Sequence, residues 1–220
     1  MSLIQYPSYL SKEHIEREVE KILEHMRTAS QYALKFPLDP SRVAEFLGLD
    51  IVWDTIPPDV QGRIAARILP LDRLIEINDA IPELRGGFGA STIAHEIGHW
   101  VLHINRNEVD GSSKQQTLDL GLENIQPFLC RSISAQQGIE WQAQYFAGCL
   151  LMPRYIVEDV AQGRKLTNWK HLYAMAEDLG ITISNLTHRL QGLGWINIPK
   201  GSKQIYPGKS TPTGQINLLD

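Results

Sequence analysis

Two histidines and a glutamate lie within five consecutive residues of the chain, His95-Glu96-Ile97-Gly98-His99. On a helix, side chains four residues apart leave the same face one turn from each other, so these two imidazoles can bind one metal ion. Glu96 directly follows His95, so its side chain leaves the helix in a different direction from the two imidazoles. It can therefore reach a water bound to the ion without being a ligand itself. This is the HExxH arrangement of metallopeptidases, in which two His hold zinc and the Glu is the general base. The alternative interpretation is an amphipathic surface helix with two solvated histidines.

A catalytic zinc needs a third protein ligand and a position left open for water. Glu140 is the candidate, because it begins a helical stretch whose Ala143, Phe146, Ala147 and Leu150 form an apolar face rich in small residues. Such a face lets this helix pack closely against the HExxH helix and bring Glu140 to the metal. Spacing alone equally allows a solvated carboxylate at a helix N-terminus, where the helix dipole favours negative charge.

Three further polar residues lie close to these segments. His103 follows His99 by four residues, and we predict that it supports or packs against the site, since ligation two turns from His95 would strain the geometry around one ion. Arg154 and Tyr155 can donate a hydrogen bond to an oxyanion, although solvation of a helix end explains both residues more simply.

The elements that position these residues follow from periodicity and turn residues. Apolar residues at helical spacing predict an N-terminal helix from Ser11 to about Leu34, and Ser41 is predicted to cap a short second helix. Three strands separated by turn residues predict a small antiparallel meander, and Ser91 is predicted to cap the HExxH helix. No pattern resolves the polar stretch of residues 104–139. The strands are predicted at 51–56, 63–69 and 74–78, and the later helices at 91–103, 139–151, 155–162, 172–179 and 183–193.

Two segments of the chain resemble the ImmA/IrrE family of metallopeptidases. They are residues 95–103 and the stretch Glu140-x-x-Ala-x-x-Phe-Ala-x-x-Leu-Leu-Met-Pro. The lead-in to the first segment and the region near the C-terminus are similar too, so the resemblance covers about residues 37–198. The chain departs from the family at Gln144, where Asn is frequent, and in segment 86–92, which lacks the usual Arg-x-Arg-Phe-Thr pattern.

The resemblance implies a Zn2+-dependent peptidase in which His95, His99 and Glu140 are the metal ligands and Glu96 is the catalytic base. It also implies a regulatory role, with a transcriptional repressor or an antitoxin as the protein substrate. The expected fold is α+β, mostly helical with a small antiparallel sheet (a zincin-like core), with the HExxH helix packed against the Glu-bearing helix.

The C-terminal segment, around Ala176 and Gly180, also resembles a helix-turn-helix. Residues 163–209 include seven Lys or Arg and two acidic residues, which is the charge pattern of a DNA reader. The alternative, which the family resemblance favours, is that these helices pack on the peptidase core or dock a protein substrate. The charge pattern makes a DNA-binding transcriptional regulator with a sensory or structural metal site the alternative function. A third interpretation, a catalytically silent module that keeps the zinc, is disfavoured by the intact Glu96. We divide the chain into an N-terminal helix, a metallopeptidase domain, a helix-turn-helix-like segment and a flexible tail, at residues 1–36, 37–160, 161–200 and 201–220.

The bulk composition fits an ordinary globular protein, with 220 residues that are 43% hydrophobic and 21% charged. A net charge of −4 argues against a general nucleic-acid or membrane-surface binder. Nothing at the N-terminus reads as a signal peptide, and no run of about 18 apolar residues predicts a membrane span. Cys130 and Cys149 are too few for a disulfide framework. We expect a cytoplasmic protein without membrane association and with two free thiols, a disulfide between those two being the alternative.

Overall fold

The structure is a computed structural model that describes residues 10–59, 62–115, 128–129 and 137–208. The predicted class, α+β and mostly helical with a small sheet, is confirmed. In chain order the elements are α1 (Lys12–Thr28), α2 (Pro40–Phe46), β1 (Asp50–Asp54), β2 (Ala66–Leu69), β3 (Leu74–Asn78), a 3-10 turn (Pro82–Leu84), α3 (Gly87–His103), α4 (Arg106–Gln115), β4 (Phe128–Leu129), α5 (Gln137–Leu151), α6 (Arg154–Ala161), α7 (Trp169–Asp178), α8 (Ile183–Gly192), β5 (Ile196–Asn197) and β6 (Tyr206–Pro207).

The four-stranded sheet is mixed, so the prediction of an antiparallel meander is wrong. Its strand order is β1-β3-β2-β4, with β1 parallel to β3 and β2 antiparallel to both of its neighbours. The tight turn at Arg73, whose φ is +50°, makes β2 and β3 a hairpin. Because the connection between β1 and β2 is long, β2 does not pair with β1, and β3 lies between these two strands in the sheet. Turn residues mark where strands end, but they do not say which strands become neighbours.

The first two helices differ from their predicted bounds for local reasons. Ser11 caps α1 as predicted, since its hydroxyl oxygen accepts a hydrogen bond from the His14 amide. The helix ends at Thr28 rather than near Leu34 because its buried face stops at Met26. The N-cap of α2 is Asp39, whose carboxylate accepts from the Ser41 amide at 2.9 Å, rather than Ser41 itself.

The glycine-rich segment before the motif forms the first turn of α3, which begins four residues before the predicted cap at Ser91. The Ser91 hydroxyl instead donates to the Gly87 carbonyl inside the helix, at 3.0 Å. A side chain at Gly89 would put a Cβ 1.8 Å from the Leu84 carbonyl oxygen. Glycine therefore allows this helical turn to lie directly against the 3-10 turn.

Strands β1 and β2 are shorter than predicted, and α7 begins three residues earlier. Further differences lie in residues 104–139 and in the predicted tail. Within residues 104–139 the structure describes α4, β4 and the start of α5, which begins two residues earlier than predicted. The predicted flexible tail carries β6, which pairs with β5, and Ile205 beside it is buried. The rest of that tail, residues 209–220, lies outside the described residues, and so does Cys130. Cys149 is buried with a free thiol.

Helix α3 lies at the centre of the core, packed against α5 and against β2 and the 3-10 turn. Its Ala94, Ile97 and Trp100 are almost fully buried among the apolar side chains of both neighbours. In the part of the chain that the structure describes, no helix is both long enough and apolar enough to cross a membrane.

Candidate metal centre

The residues of the HExxH sequence are buried together on α3. His95 is 5% exposed, and Glu96 and His99 are fully buried. An amphipathic surface helix would leave its polar residues in water, so the interpretation as solvated histidines does not hold. Buried polar groups need partners, which here come from within α3 and from α5.

Gly98 sets the distance between the two helices. An ideal Cβ at this position would lie 3.0 Å from both the Cα and the carbonyl oxygen of Ala143, and 3.2 Å from the Phe146 ring. The α3 backbone and the α5 backbone therefore touch where small residues meet, as predicted. This contact brings Glu140, three residues before Ala143, to His95, three residues before Gly98.

Three side-chain donors converge at this crossing. His95 Nε2 lies 3.1 Å from Glu140 Oε2, His99 Nε2 lies 3.5 Å from Glu140 Oε1, and the two Nε2 atoms are 3.0 Å apart. All three ligand atoms lie within 4.8 Å of one another. These three residues, the ones predicted as ligands, form a group that can hold a metal ion.

The spacing of the donors fits a small tetrahedral ion. Bonds of about 2.0–2.1 Å at tetrahedral angles separate neighbouring ligand atoms by roughly 3.4 Å. The observed separations of 3.0, 3.1 and 3.5 Å bracket that value. Two nitrogens and one carboxylate oxygen are also the donor set of catalytic zinc sites, which leave a fourth position open.

Burial and mutual contact hold the donors in the charge state that a metal requires. Burial lowers the pKa of His99 from its usual 6.5 to about 3, so this imidazole is neutral near pH 7. Burial alone would raise the pKa of Glu140, but its contacts with the His95 and His99 imidazoles outweigh burial and lower that pKa to about 2. Near neutral pH the group therefore offers a carboxylate and a neutral imidazole.

A second row of polar side chains lies behind His99. His99 Nδ1 is 3.0 Å from His103 Nδ1, and His103 Nε2 is 3.0 Å from Gln142 Oε1. His103 is fully buried, and Gln142 is 2% exposed. His103 thus contacts a ligand rather than standing among the ligands. Sequence reasoning missed Gln142, although its place among the apolar residues of α5 was a signal that a buried amide needed a partner.

A buried ion pair joins α1, α5 and α8 on another side of α5. Arg189 is 5% exposed, and its guanidinium donates to Glu16 at 2.8 Å and to the Met152 carbonyl at 3.1 Å. Tyr145 donates its hydroxyl to the same carboxylate. Burial raises the pKa of the neighbouring Cys149 thiol to about 12. Arg189 is one of the seven basic residues counted in the C-terminal segment, but its burial removes it from any basic surface there.

A cleft of about 810 Å³ runs between α5 and α8. Trp141 and Gln144 of α5, Asn185 of α8 and Ser91 of α3 are among the residues that line it. Ser91 lies one helical turn before His95, and Gln144 lies one turn after Glu140. Among the described residues, none of the three ligands lines the cleft itself, but its wall comes within one helical turn of His95 and Glu140.

The other residues considered as candidates lie apart from the ligand group. Tyr155 is 44% exposed and packs edge-to-face on Phe36, and Arg154 reaches Glu158 at 4.0 Å. Both line a small cavity beside α1.

Comparison with known proteins identifies the fold more than the function. No protein-family model matches the chain, and no curated protein matches it. A solved structure of a Mycobacterium tuberculosis transcriptional regulator is similar, with a TM-score of 0.50 and 20% sequence identity over 84% of this chain. The match covers 48% of that regulator, so this chain spans about half of its length. At this identity the likeness concerns the fold alone.

Proposed function

We propose that the protein is a zinc-dependent metallopeptidase of the ImmA/IrrE type that hydrolyses a peptide bond in a protein partner. The observation that carries the proposal is the meeting of His95, His99 and Glu140 through atoms within 4.8 Å of one another. This set comes from two helices, and the sequence between the two histidines supplies a glutamate in the position of a general base.

The ligand chemistry favours zinc over harder ions, since Mg2+ and Ca2+ select oxygen donors. His95 and His99 would each give an imidazole nitrogen, and Glu140 would give a carboxylate oxygen. When bound, zinc would supply Lewis-acid activation of a water and of the scissile carbonyl.

Glu96 would move the proton in this reaction. It follows His95 directly on α3, turned by about 100° around the helix, so it lies beside the ligands rather than among them. Its carboxylate would accept a proton from the attacking water and deliver it to the nitrogen of the leaving amine. Full burial of Glu96 keeps bulk water from competing for that proton.

The cleft between α5 and α8 supports a polypeptide as the substrate. Its three amide side chains, Gln144, Asn185 and Gln191, each carry a donor and an acceptor that can pair with a peptide backbone. Trp141 stacks on Tyr145 with their ring centroids 5.4 Å apart, and this aromatic surface of the cleft can pack against an apolar side chain of the substrate. The resemblance to the ImmA/IrrE family extends the proposal to a transcriptional repressor or an antitoxin as the partner, and hence to a regulatory role.

The alternative function, a DNA-binding transcriptional regulator, is supported by the name of the solved structure with a similar fold. Two observations count against it. Arg189, the one Lys or Arg within α8, is buried and paired with Glu16, and Arg164 is paired with Asp178 at 2.6 Å. Each of these guanidinium groups is thus already paired with a carboxylate. A DNA affinity that falls steeply with salt concentration would favour this alternative over the peptidase.

Two conservative variants separate metal binding from catalysis. We expect Glu140→Gln to lose zinc on dialysis, because the amide offers no negative charge to the ion. Glu96→Gln should keep one zinc per chain and lose turnover, because an amide cannot accept the proton.

A peptide library made from a digested proteome serves as the substrate, and mass spectrometry of new N-termini detects every cleavage, whatever the natural target is. Wild-type protein with zinc should create new N-termini, and a chelator should abolish them until zinc is restored. If Glu96→Gln produced the same N-termini at the same rate as the wild type, a contaminating peptidase would be responsible and the proposal would fail.

A further inference from the structure

A row of three buried side chains, Gln142, His103 and His99, runs from α5 back into α3 and ends at the metal ligands. The separations along it are 3.0 Å from Gln142 Oε1 to His103 Nε2 and 3.0 Å from His103 Nδ1 to His99 Nδ1. All three side chains are at least 98% buried. We call these three residues the Gln142 row.

The direction of every hydrogen bond in the Gln142 row follows from one acceptor. The carbonyl oxygen of Gln142 can only accept, so His103 Nε2 must carry a hydrogen and donate. A neutral imidazole has one N–H, so His103 Nδ1 is an acceptor. The facing Nδ1 of His99, 3.0 Å away, must therefore be the donor.

The consequence falls on the other nitrogen of His99. With its hydrogen on Nδ1, the neutral ring has a lone pair on Nε2, which faces His95 Nε2 at 3.0 Å and Glu140 Oε1 at 3.5 Å. Rotation of the Gln142 amide would reverse the sequence of donors and put the hydrogen on His99 Nε2, where no ion can bind. We propose that Gln142 and His103 are positioning residues which fix the tautomer of His99 and hold its Nε2 lone pair towards the metal.

The inference rests on the metal centre of the proposed function, but it does not require peptidase activity. Metal-ligating histidines elsewhere are oriented by a partner on their second nitrogen, and loss of that partner weakens metal affinity by about 10–100-fold. Here the partner of His99 is another histidine, His103. The residue that sets the direction of the hydrogen bonds is Gln142, which lies on α5 beyond His103.

A pair of substitutions at His103 tests the proposal. Asn places an oxygen close to the position of Nδ1 and can still accept from His99, whereas Leu has a similar volume and cannot. Zinc affinity is measured for each protein by competition with a chromophoric chelator. We expect His103→Leu to weaken binding about 10–100-fold and His103→Asn to stay within a few-fold of the wild type. Gln142→Leu, which removes the acceptor that sets the direction, should also weaken binding.

A second measurement can be made on the wild-type protein, so its main result does not depend on how the variants fold. In wild-type protein stripped of metal, ¹⁵N NMR of the imidazoles reports which ring nitrogen of His99 carries the hydrogen. We expect Nδ1–H in the wild type and a mixture of tautomers in Gln142→Leu. A hydrogen on Nε2 of wild-type His99, or wild-type zinc affinity in His103→Leu, would overturn the proposal. Because neither assay uses a substrate, a failure to find any cleavage would refute the proposed function and leave this inference intact.

Discussion

The close contact at Gly98 gives the sharpest prediction about how the metal centre is built. In Gly98→Ala the new methyl group would lie 3.0 Å from the Cα and the carbonyl oxygen of Ala143. Carbon atoms pack at about 3.5–4.0 Å. The two obstructing atoms belong to the α5 backbone, so they cannot rotate away, and the helices must separate by about 0.5 Å.

Two opposing terms set the effect on stability. Alanine is favoured over glycine in a helix by about 1 kcal/mol, and overpacking of a core costs about 1–3 kcal/mol. The free energy of unfolding should therefore fall by about 0–2 kcal/mol. The ligands are more sensitive, since functional sites tolerate displacements of about 0.5 Å. We expect the zinc dissociation constant to rise about tenfold, or 1.4 kcal/mol.

Gly148→Ala is the matched control. Gly148 is also inside a helix, α5, but a Cβ there would meet no atom within 4 Å. This variant should gain about 1 kcal/mol of stability and keep the zinc affinity of the wild type. Urea unfolding of metal-free protein and chelator competition measure the two quantities. If Gly98→Ala gained as much stability as Gly148→Ala and bound zinc equally well, the reasoning about this contact would be refuted.

Three further predictions concern buried ionisable groups. The pKa of His99 is about 3 in the folded chain, so below pH 6.5 this imidazole takes up a proton in the unfolded chain but not in the folded one, and metal-free protein should lose about 2 kcal/mol of stability from this group between pH 7 and pH 5. Urea unfolding of His99→Gln should show a smaller loss of stability between the two pH values than the wild type. An equal loss would exclude His99 as the cause. Arg189→Met should lower the free energy of unfolding by about 2 kcal/mol, because the hydrogen bonds of a buried guanidinium to Glu16 and the Met152 carbonyl are lost. Arg164→Met, which breaks an ion pair with a half-exposed aspartate, should change it by under about 1 kcal/mol; urea unfolding measures both variants, and equal losses would contradict the burial of Arg189. Burial raises the pKa of the Cys149 thiol to about 12, so this thiol should resist iodoacetamide at pH 8 in the native protein and react with it in urea. Peptide mass spectrometry detects the labelled cysteine. Rapid labelling of the native protein would contradict the burial of Cys149.

The two histidines of the ligand group were predictable because their spacing is a local feature, whereas Glu140 was assigned as the third ligand through the family resemblance. The four-residue step from His95 to His99 fixes a shared helical face wherever the helix lies. Small residues on the helix after Glu140 indicated a close approach, and the contact between Gly98 and Ala143 is of that kind. Strand β3 also has the predicted bounds, since its apolar alternation is complete within five residues.

The features that sequence reasoning missed depend on contacts between distant parts of the chain. The parallel pairing of β1 with β3 depends on which strands become neighbours in the sheet, and the turn residues read from the sequence do not specify that. The role of Gln142 depends on His103, which lies 39 positions away. Arg189 is a basic residue in a basic segment, and only the position of Glu16 on α1 makes it a buried ion pair.

The contact at Gly87 has a consequence for how the chain can be divided. A Cβ there would lie 2.9 Å from the Gly180 carbonyl oxygen and 3.1 Å from the Ile181 Cα, so the first turn of α3 rests on the turn between α7 and α8. Asn185 donates to the Ser91 hydroxyl across the same junction. The helix that carries both histidine ligands is thus seated on a segment from a much later part of the chain. A shortened protein that ends after α6 would leave the first turn of α3 uncovered, and the metal centre should not be transplantable as a fragment without α7 and α8.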